Sequence, residues 1–155
     1  GETFVMPEAR LHENTMYIPG TDGQKMSKSR GNLIDIFQPD KALRKQIMGI
    51  VTDSTPLEEP KDPDSDTVFA LYKILATPEQ TEEMRANYEG GNYGYGHAKQ
   101  ALYECIREVF GEARERFEYY KQHPGEVEEA LEKGAQKAAK VADGVLQRVR
   151  EKLGY

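Results

Sequence analysis

The sequence predicts a mostly α-helical protein, an antiparallel bundle of about five helices, and three observations carry that expectation. Apolar residues recur every three or four positions in five segments, the spacing that lines one face of a helix. Proline or a small capping residue opens most of these segments, and glycine or proline closes them. Residues of strand character are confined to one short run near the start. At 155 residues the chain is long enough to bury a core.

The opening twenty residues alternate weakly and contain Pro7 and Pro19. Thr15-Met16-Tyr17-Ile18 has the β-branched and aromatic character of a short strand. A glycine-flanked loop follows, Gly20-Thr21-Asp22-Gly23 leading into Lys25-Met26-Ser27-Lys28-Ser29 and out through Arg30-Gly31-Asn32. Asn32 is expected to cap a turn over residues 33–37, and Pro39 to open a helix over about 39–51 carrying Leu43, Ile47 and Ile50. Residues 52–66 read as a loop. Asp62, Asp64 and Asp66 have the alternate spacing of a calcium loop, but such a loop starting at Asp62 needs glycine at its sixth position and glutamate at its twelfth. Thr67 and Lys73 stand there, so a turn and a helix N-cap are the better reading.

Ser65 or Asp66 is expected to cap the next helix, with Val68, Phe69, Leu71, Tyr72 and Leu75 on its apolar face. Pro78 opens another, through about Tyr88. Gly90-Gly91-Asn92-Tyr93-Gly94-Tyr95-Gly96 then reads as a turn. Its G-x-G lacks the third glycine and the preceding strand of a dinucleotide fingerprint, so Tyr93 and Tyr95 are expected to pack as staples. Two long helices complete the chain. Over about 95–123 the stripe is Leu102, Cys105, Ile106, Val109, Ala113, Phe117 and Tyr120, which places Cys105 as a buried, inert thiol. Over about 125–153 it is Val127, Leu131, Ala135, Ala138, Ala142, Val145, Leu146, Val149 and Leu153. Gly134 and Gly144 bend this last helix or let it pack closely. Lys133, Lys137, Lys140 and Arg148 fall on the opposite face, as a solvated face or as a line of phosphate contacts.

The chain holds 21 Lys+Arg against 27 Asp+Glu, a net charge of −6, which excludes a uniformly basic nucleic-acid binder but not a basic patch. Residues 51–90 carry ten carboxylates against Lys61, Lys73 and Arg85, so this middle section is a poor surface for RNA. A single cysteine excludes an internal disulfide and fits a reducing compartment. No apolar run reaches membrane-spanning length. A soluble cytoplasmic protein that does not meet a membrane is the expectation.

The loop carries the chemistry. Its glycines let backbone approach a phosphate, and its serines and amides can hydrogen-bond an anion. Lys25 and Lys28 supply flexible point charges suited to phosphate oxygens whose charge grows during reaction. Any K-x-x-K alone is an ordinary solvated loop. The longer run from Asp22 to Asn32, with KMSKS intact and a trailing Gly-Asn, resembles the second signature of the class I aminoacyl-tRNA synthetases. Within that class, Ile47-Met48-Gly49-Ile50-Val51-Thr52-Asp53-Ser54, Tyr93-Gly94-Tyr95-Gly96-His97-Ala98-Lys99 and the stretch from Gly134-Ala135 to Leu153-Gly154 look like the tryptophanyl-tRNA synthetase family.

The resemblance covers nearly the whole chain. It implies that residues 1–38 are the last edge of a Rossmann catalytic domain with its lysine loop, and that 39–155 form a C-terminal, anticodon-binding type of helical domain. The first class I signature is not matched, since His12, His97 and His123 stand isolated, so the resemblance implies a fragment that is inactive alone. It implies a tryptophan–tRNA ligase that uses ATP and Mg²⁺, forms tryptophanyl-adenylate and charges tRNA(Trp), in an intact parent that is a homodimer. By that resemblance Lys28 and then Lys25 are the catalytic groups, and Lys25, Met26, Ser27, Lys28 and Ser29 bind the nucleotide, Met26 by anchoring the loop to apolar wall. The loop is expected to open and close as a lid. The same region of a tyrosyl or other class I enzyme, and a non-enzymatic helical RNA-binding module, remain alternatives.

Overall fold

The computed structural model describes residues 3–10 and 17–154. Five helices are found: α1 (Asp40–Met48), α2 (Thr67–Leu75), α3 (Pro78–Gly90), α4 (Tyr95–Gln122) and α5 (Pro124–Leu153). Among the described residues two 3₁₀ turns, Lys28–Arg30 and Pro63–Ser65, precede α1 and α2. No strand forms among the described residues. Of the expected strand, Thr15 and Met16 lie outside the described residues. Tyr17 and Ile18 belong to no ladder, and only an isolated antiparallel bridge joins Pro19 to Lys25.

By their contacts the residues fall into two compact units, His12–Glu115 and Gly1–Leu11 with Arg116–Tyr155. In the first, Leu43, Ile47, Ile50, Val68, Phe69, Tyr88, Ala98, Leu102 and Ile106 are almost fully buried. Burial of such side chains contributes about 1.5–3 kcal/mol each. Tyr88 lies at the centre with edge-on contacts to Phe69 at 5.6 Å and Tyr95 at 6.2 Å between ring centres.

Caps explain where helices start. Asp66 accepts from the Phe69 N–H at 2.9 Å and opens α2. Thr77 and Gln80 form a reciprocal capping box on α3, with Pro78 at its first position. The aspartates of 62–66 take separate tasks: Asp62 accepts from the Asp64 N–H, Asp64 pairs with Arg85 at 2.7 Å, and Asp66 caps. That is the turn-and-cap arrangement.

Three expectations need correction. The helix expected over 39–51 ends at Met48, because the Val51 N–H is drawn off to the carbonyl of Thr21 at 2.8 Å. Asn32 does not cap residues 33–37; Asp35 makes the local bond there, to the Phe37 N–H, and Asn32 turns back into the loop. On α4 the stripe is right through Ile106, but Val109 is 50% exposed and Phe110 packs on the core instead. Rows four residues apart (Leu102, Ile106, Phe110) follow the buried side as the helix advances. Cys105 is buried in that stripe, and burial pushes its thiol up.

In the second unit the turn between α4 and α5 is held by Tyr119, which stacks on His123 at 4.0 Å and donates to Glu126. Helix α5 is unbroken for 30 residues. Among the described residues nothing within 4 Å meets a Cβ placed at Gly134 or Gly144, so neither packs closely against them. Its apolar stripe is largely exposed, with Leu153 and Leu131 the most open of its large side chains.

Candidate functional site

The lysine loop folds back on itself between Gly20 and Asn32. The Gly20 N–H donates to Gln24 O at 2.7 Å and the Thr21 N–H to Asn32 O at 2.9 Å, so the two ends of the loop are tied together. Gly23 and Gly31 take φ of 75° and 69°. Gly31 closes the 3₁₀ turn over Lys28–Arg30 by donating to Lys28 O, a left-handed position that glycine fills without strain. Ser27 and Ser29 hydroxyls lie 2.8 Å apart.

Asn32 sits at the middle of the loop, 3% exposed. Its Oδ1 accepts from the Ser27 N–H at 2.8 Å, and its Nδ2 donates to Asp22 Oδ1 at 2.7 Å and to Lys25 O at 3.2 Å. The same Asp22 oxygen accepts from the Gln24 N–H. The Asn32 bond, then the Gln24 bond, hold the Asp22 carboxyl below the usual carboxylate range. A Cβ at Gly20 would stand 2.4 Å from the Asn32 side chain, so the backbone approaches there only because Gly20 has none.

Lys25 and Lys28 are both exposed, and among the described residues neither pairs with a carboxylate. Met26 is half-buried against the core and helps line an apolar groove of about 240 Å³ with Ile18, Ile34, Ile36, Leu71 and Phe110. The loop therefore has an apolar inner side and a cationic outer one. Gln46 on α1 braces the exit, accepting from the Asp35 N–H and donating to Leu33 O. Arg114 on α4 donates to the carbonyls of Ile36 and Gln38 and pairs with Asp40.

The glycine-rich turn holds no ligand-facing tyrosines. Tyr93 donates toward Met84 Sδ, and Tyr95 donates to Asp53 Oδ1 at 2.6 Å, as packed staples would. Burial and the Asp53 bond push the Tyr95 hydroxyl up to about 12. Beside them lies Lys61, only 4% exposed, donating to the carbonyls of Pro56 at 2.8 Å and Glu59 at 3.0 Å. Its three donors organise the loop before α2.

Lys133, Lys137, Lys140 and Arg148 lie exposed on one face of α5, far along the chain from the loop. Lys133 pairs with Glu129 one turn away, and Arg148 reaches the carbonyl of Gly144. Sequence reasoning missed Asn32 as the loop's centre and Lys61 as a buried cation; neither leaves a periodic signal.

The chain is similar to known proteins over nearly its whole length. The family model described as tRNA synthetases class I (W and Y) matches residues 1–111. Tryptophan–tRNA ligase of Rhodopirellula baltica is 46% identical over 154 residues, covering 99% of this chain and 48% of the relative. The ligase of Campylobacter jejuni strain RM1221 is 45% identical over 154 residues, again covering 48% of the relative. The crystal structure of Campylobacter jejuni tryptophanyl-tRNA synthetase complexed with ADP and tryptophan matches at a TM-score of 0.86 and 44% identity, over 100% of this chain and 49% of that one. The chain spans about half the length of the curated relatives it matches.

Proposed function

The chain belongs to the class I tRNA synthetases of the tryptophan and tyrosine type, and from that premise we propose that it is the lysine-loop half of a tryptophan–tRNA ligase. The observation that carries the reading is the braced Gly20–Asn32 loop presenting Lys25 and Lys28 to solvent above an apolar wall. Residues up to 38 then form the closing edge of the nucleotide-binding domain, and 39–155 the helical domain.

In the first step a tryptophan carboxylate oxygen bonds to the α-phosphorus of ATP while the bond to the bridging oxygen breaks, and pyrophosphate leaves with the electron pair. In the second, a hydroxyl of the tRNA's terminal adenosine attacks the acyl carbon and AMP departs. Negative charge builds on the leaving pyrophosphate, and a preorganised cation there stabilises the transition state more than the ground state. Lys28 takes that role first and Lys25 second. The Ser27 N–H is already engaged by Asn32, so Ser27 and Ser29 act through their hydroxyls. Met26 anchors rather than contacts phosphate. Among the described residues no three His, Cys, Asp or Glu side chains converge. Mg²⁺ would enter with ATP, as part of the substrate, and share the charge that builds on its phosphates.

Tryptophan, ATP and tRNA(Trp) are thus the partners of the intact protein, which by resemblance works in the cytoplasm as a homodimer. No helix among the described residues is long and apolar enough to cross a membrane. The full-length ligase is expected to exchange pyrophosphate into ATP when tryptophan is supplied and not when tyrosine is. Exchange driven by tyrosine alone would overturn the tryptophan assignment.

The basic face of α5 is the physical candidate for gripping tRNA phosphates. Reversing two of its charges, Lys137→Glu with Lys140→Glu, is expected to weaken tRNA binding and to lower the steepness of its salt dependence by about two counter-ions. Titrations at several salt concentrations give both quantities. If neither moves, the line is a solvated face.

A further inference from the structure

The knot at the centre of the lysine loop makes Asn32 more than a loop residue. Four groups converge on its buried side chain: the Ser27 N–H on one side, the Asp22 carboxylate and the Lys25 and Gln24 carbonyls on the other. Two of these are the backbones of Lys25 and Ser27, which flank Met26, and Ser27 immediately precedes the turn that begins at Lys28. The amide can face only one way. Its oxygen must meet the N–H and its NH₂ must meet the acceptors, because the reverse would oppose like to like.

We propose that Asn32 is a positioning residue for phosphate chemistry: through the Ser27 N–H and the Lys25 carbonyl it fixes the spacing and direction of the two lysines, with Asp22 locking its amide. Asn32 touches no substrate. The loop then opens and closes as one piece, hinging outside Gly20 and Asn32, rather than refolding at each turnover. The packing agrees, since Gly20 leaves no room for a Cβ against the Asn32 amide. The inference rests on the role proposed for Lys25 and Lys28.

The near-isosteric Asn32→Asp substitution is the sharpest test. It places a second carboxylate oxygen where Nδ2 stands 2.7 Å from Asp22 Oδ1, so two negative groups and a carbonyl repel where they had bonded. Asp22→Asn keeps an acceptor oxygen for Asn32 and Gln24 and should change little. Combining the two restores a donor opposite the new carboxylate.

In the 155-residue chain, hydrogen exchange of the Ser27 amide should speed roughly tenfold or more in Asn32→Asp, because repulsion where Nδ2 stood swings the carboxylate out of the knot and carries its acceptor oxygen away from the Ser27 N–H, while amides around Leu102 in α4 stay protected and show that the variant is folded. In the full-length ligase, Asn32→Asp should lower kcat for tryptophan-dependent pyrophosphate exchange roughly ten- to a hundredfold with the KM for tryptophan unchanged. The double variant should recover about tenfold of that loss, as a coupled pair does.

Lys28→Ala run beside these separates the two ideas. If it leaves exchange unaltered, the proposed function fails, and the Ser27 amide alone decides whether Asn32 ties the loop. If Lys28→Ala is slow, an unchanged kcat in Asn32→Asp overturns the positioning role. So does a double variant no faster than Asn32→Asp.

Discussion

Replacing Lys28 by alanine in the full-length ligase is expected to slow adenylate formation about a hundredfold, or about 3 kcal/mol, the usual cost of removing one charged or hydrogen-bonding group aimed at developing negative charge. The KM for tryptophan should hardly move, because the contact strengthens as pyrophosphate departs rather than when the amino acid binds. The proposal ranks Lys28 ahead of Lys25. Lys28 opens the 3₁₀ turn closed by Gly31. Lys25 sits where the chain bridges back to Pro19, nearer the body of the domain. Both ammonium groups are exposed in this chain, where solvent weakens their attraction to phosphate. In a closed site that excludes water the same charge acts several times more strongly. Pre-steady-state measurement of adenylate formation, with Lys25→Ala as the milder comparison, checks the expectation. An unchanged rate in Lys28→Ala would remove the loop from the chemistry.

Much of this arrangement was legible in the residues. The helices announced themselves because their starts are chemical: Pro78 behind Thr77, Asp66 before an apolar run, Pro124 between two long stripes. The signature from Asp22 to Asn32 carried the proposed chemistry. What periodicity does not encode is where a polar side chain finds its partners. Asn32 reads as the cap of a short turn over residues 33–37, since asparagine before an apolar run commonly caps. Its actual partners lie five to ten residues back, and only the closed loop brings them together. Lys61, between Pro60 and Pro63 in an acidic stretch, carries no sequence signal of burial. It is buried because three backbone carbonyls turn inward to receive it. Ile50 likewise reads as the last turn of a helix. It is buried two residues after the helix has ended, where the Val51 N–H turns to Thr21. The apolar stripe of α5 was visible in the spacing, but spacing does not say what lies against it.

The same reasoning identifies the polar group on which the core depends most. Asp66 is 7% exposed and uses one oxygen twice, for the Phe69 N–H at 2.9 Å and for the Tyr88 hydroxyl at 2.8 Å. Tyr88 is fully buried, and that burial, reinforced by the Asp66 charge, pushes its hydroxyl well above the usual tyrosine range. It therefore stays a donor. Asp66→Ala removes the cap of α2, worth about 1 kcal/mol, and leaves a buried hydroxyl without an acceptor, worth about 1–3 kcal/mol more. Together these predict about 3 kcal/mol of destabilisation and a fall in Tm of about 10 °C for a chain of this size. Asp66→Asn keeps an oxygen in the same place for both donors and should cost clearly less. Tyr88→Phe removes the orphaned hydroxyl, so adding it to Asp66→Ala should cost less than the two single changes together. Thermal melts of the four variants, followed by the tyrosine signal, test this. If Asp66→Ala and Asp66→Asn melt together, the carboxylate neither caps α2 nor holds Tyr88, and the core is secured by apolar packing alone.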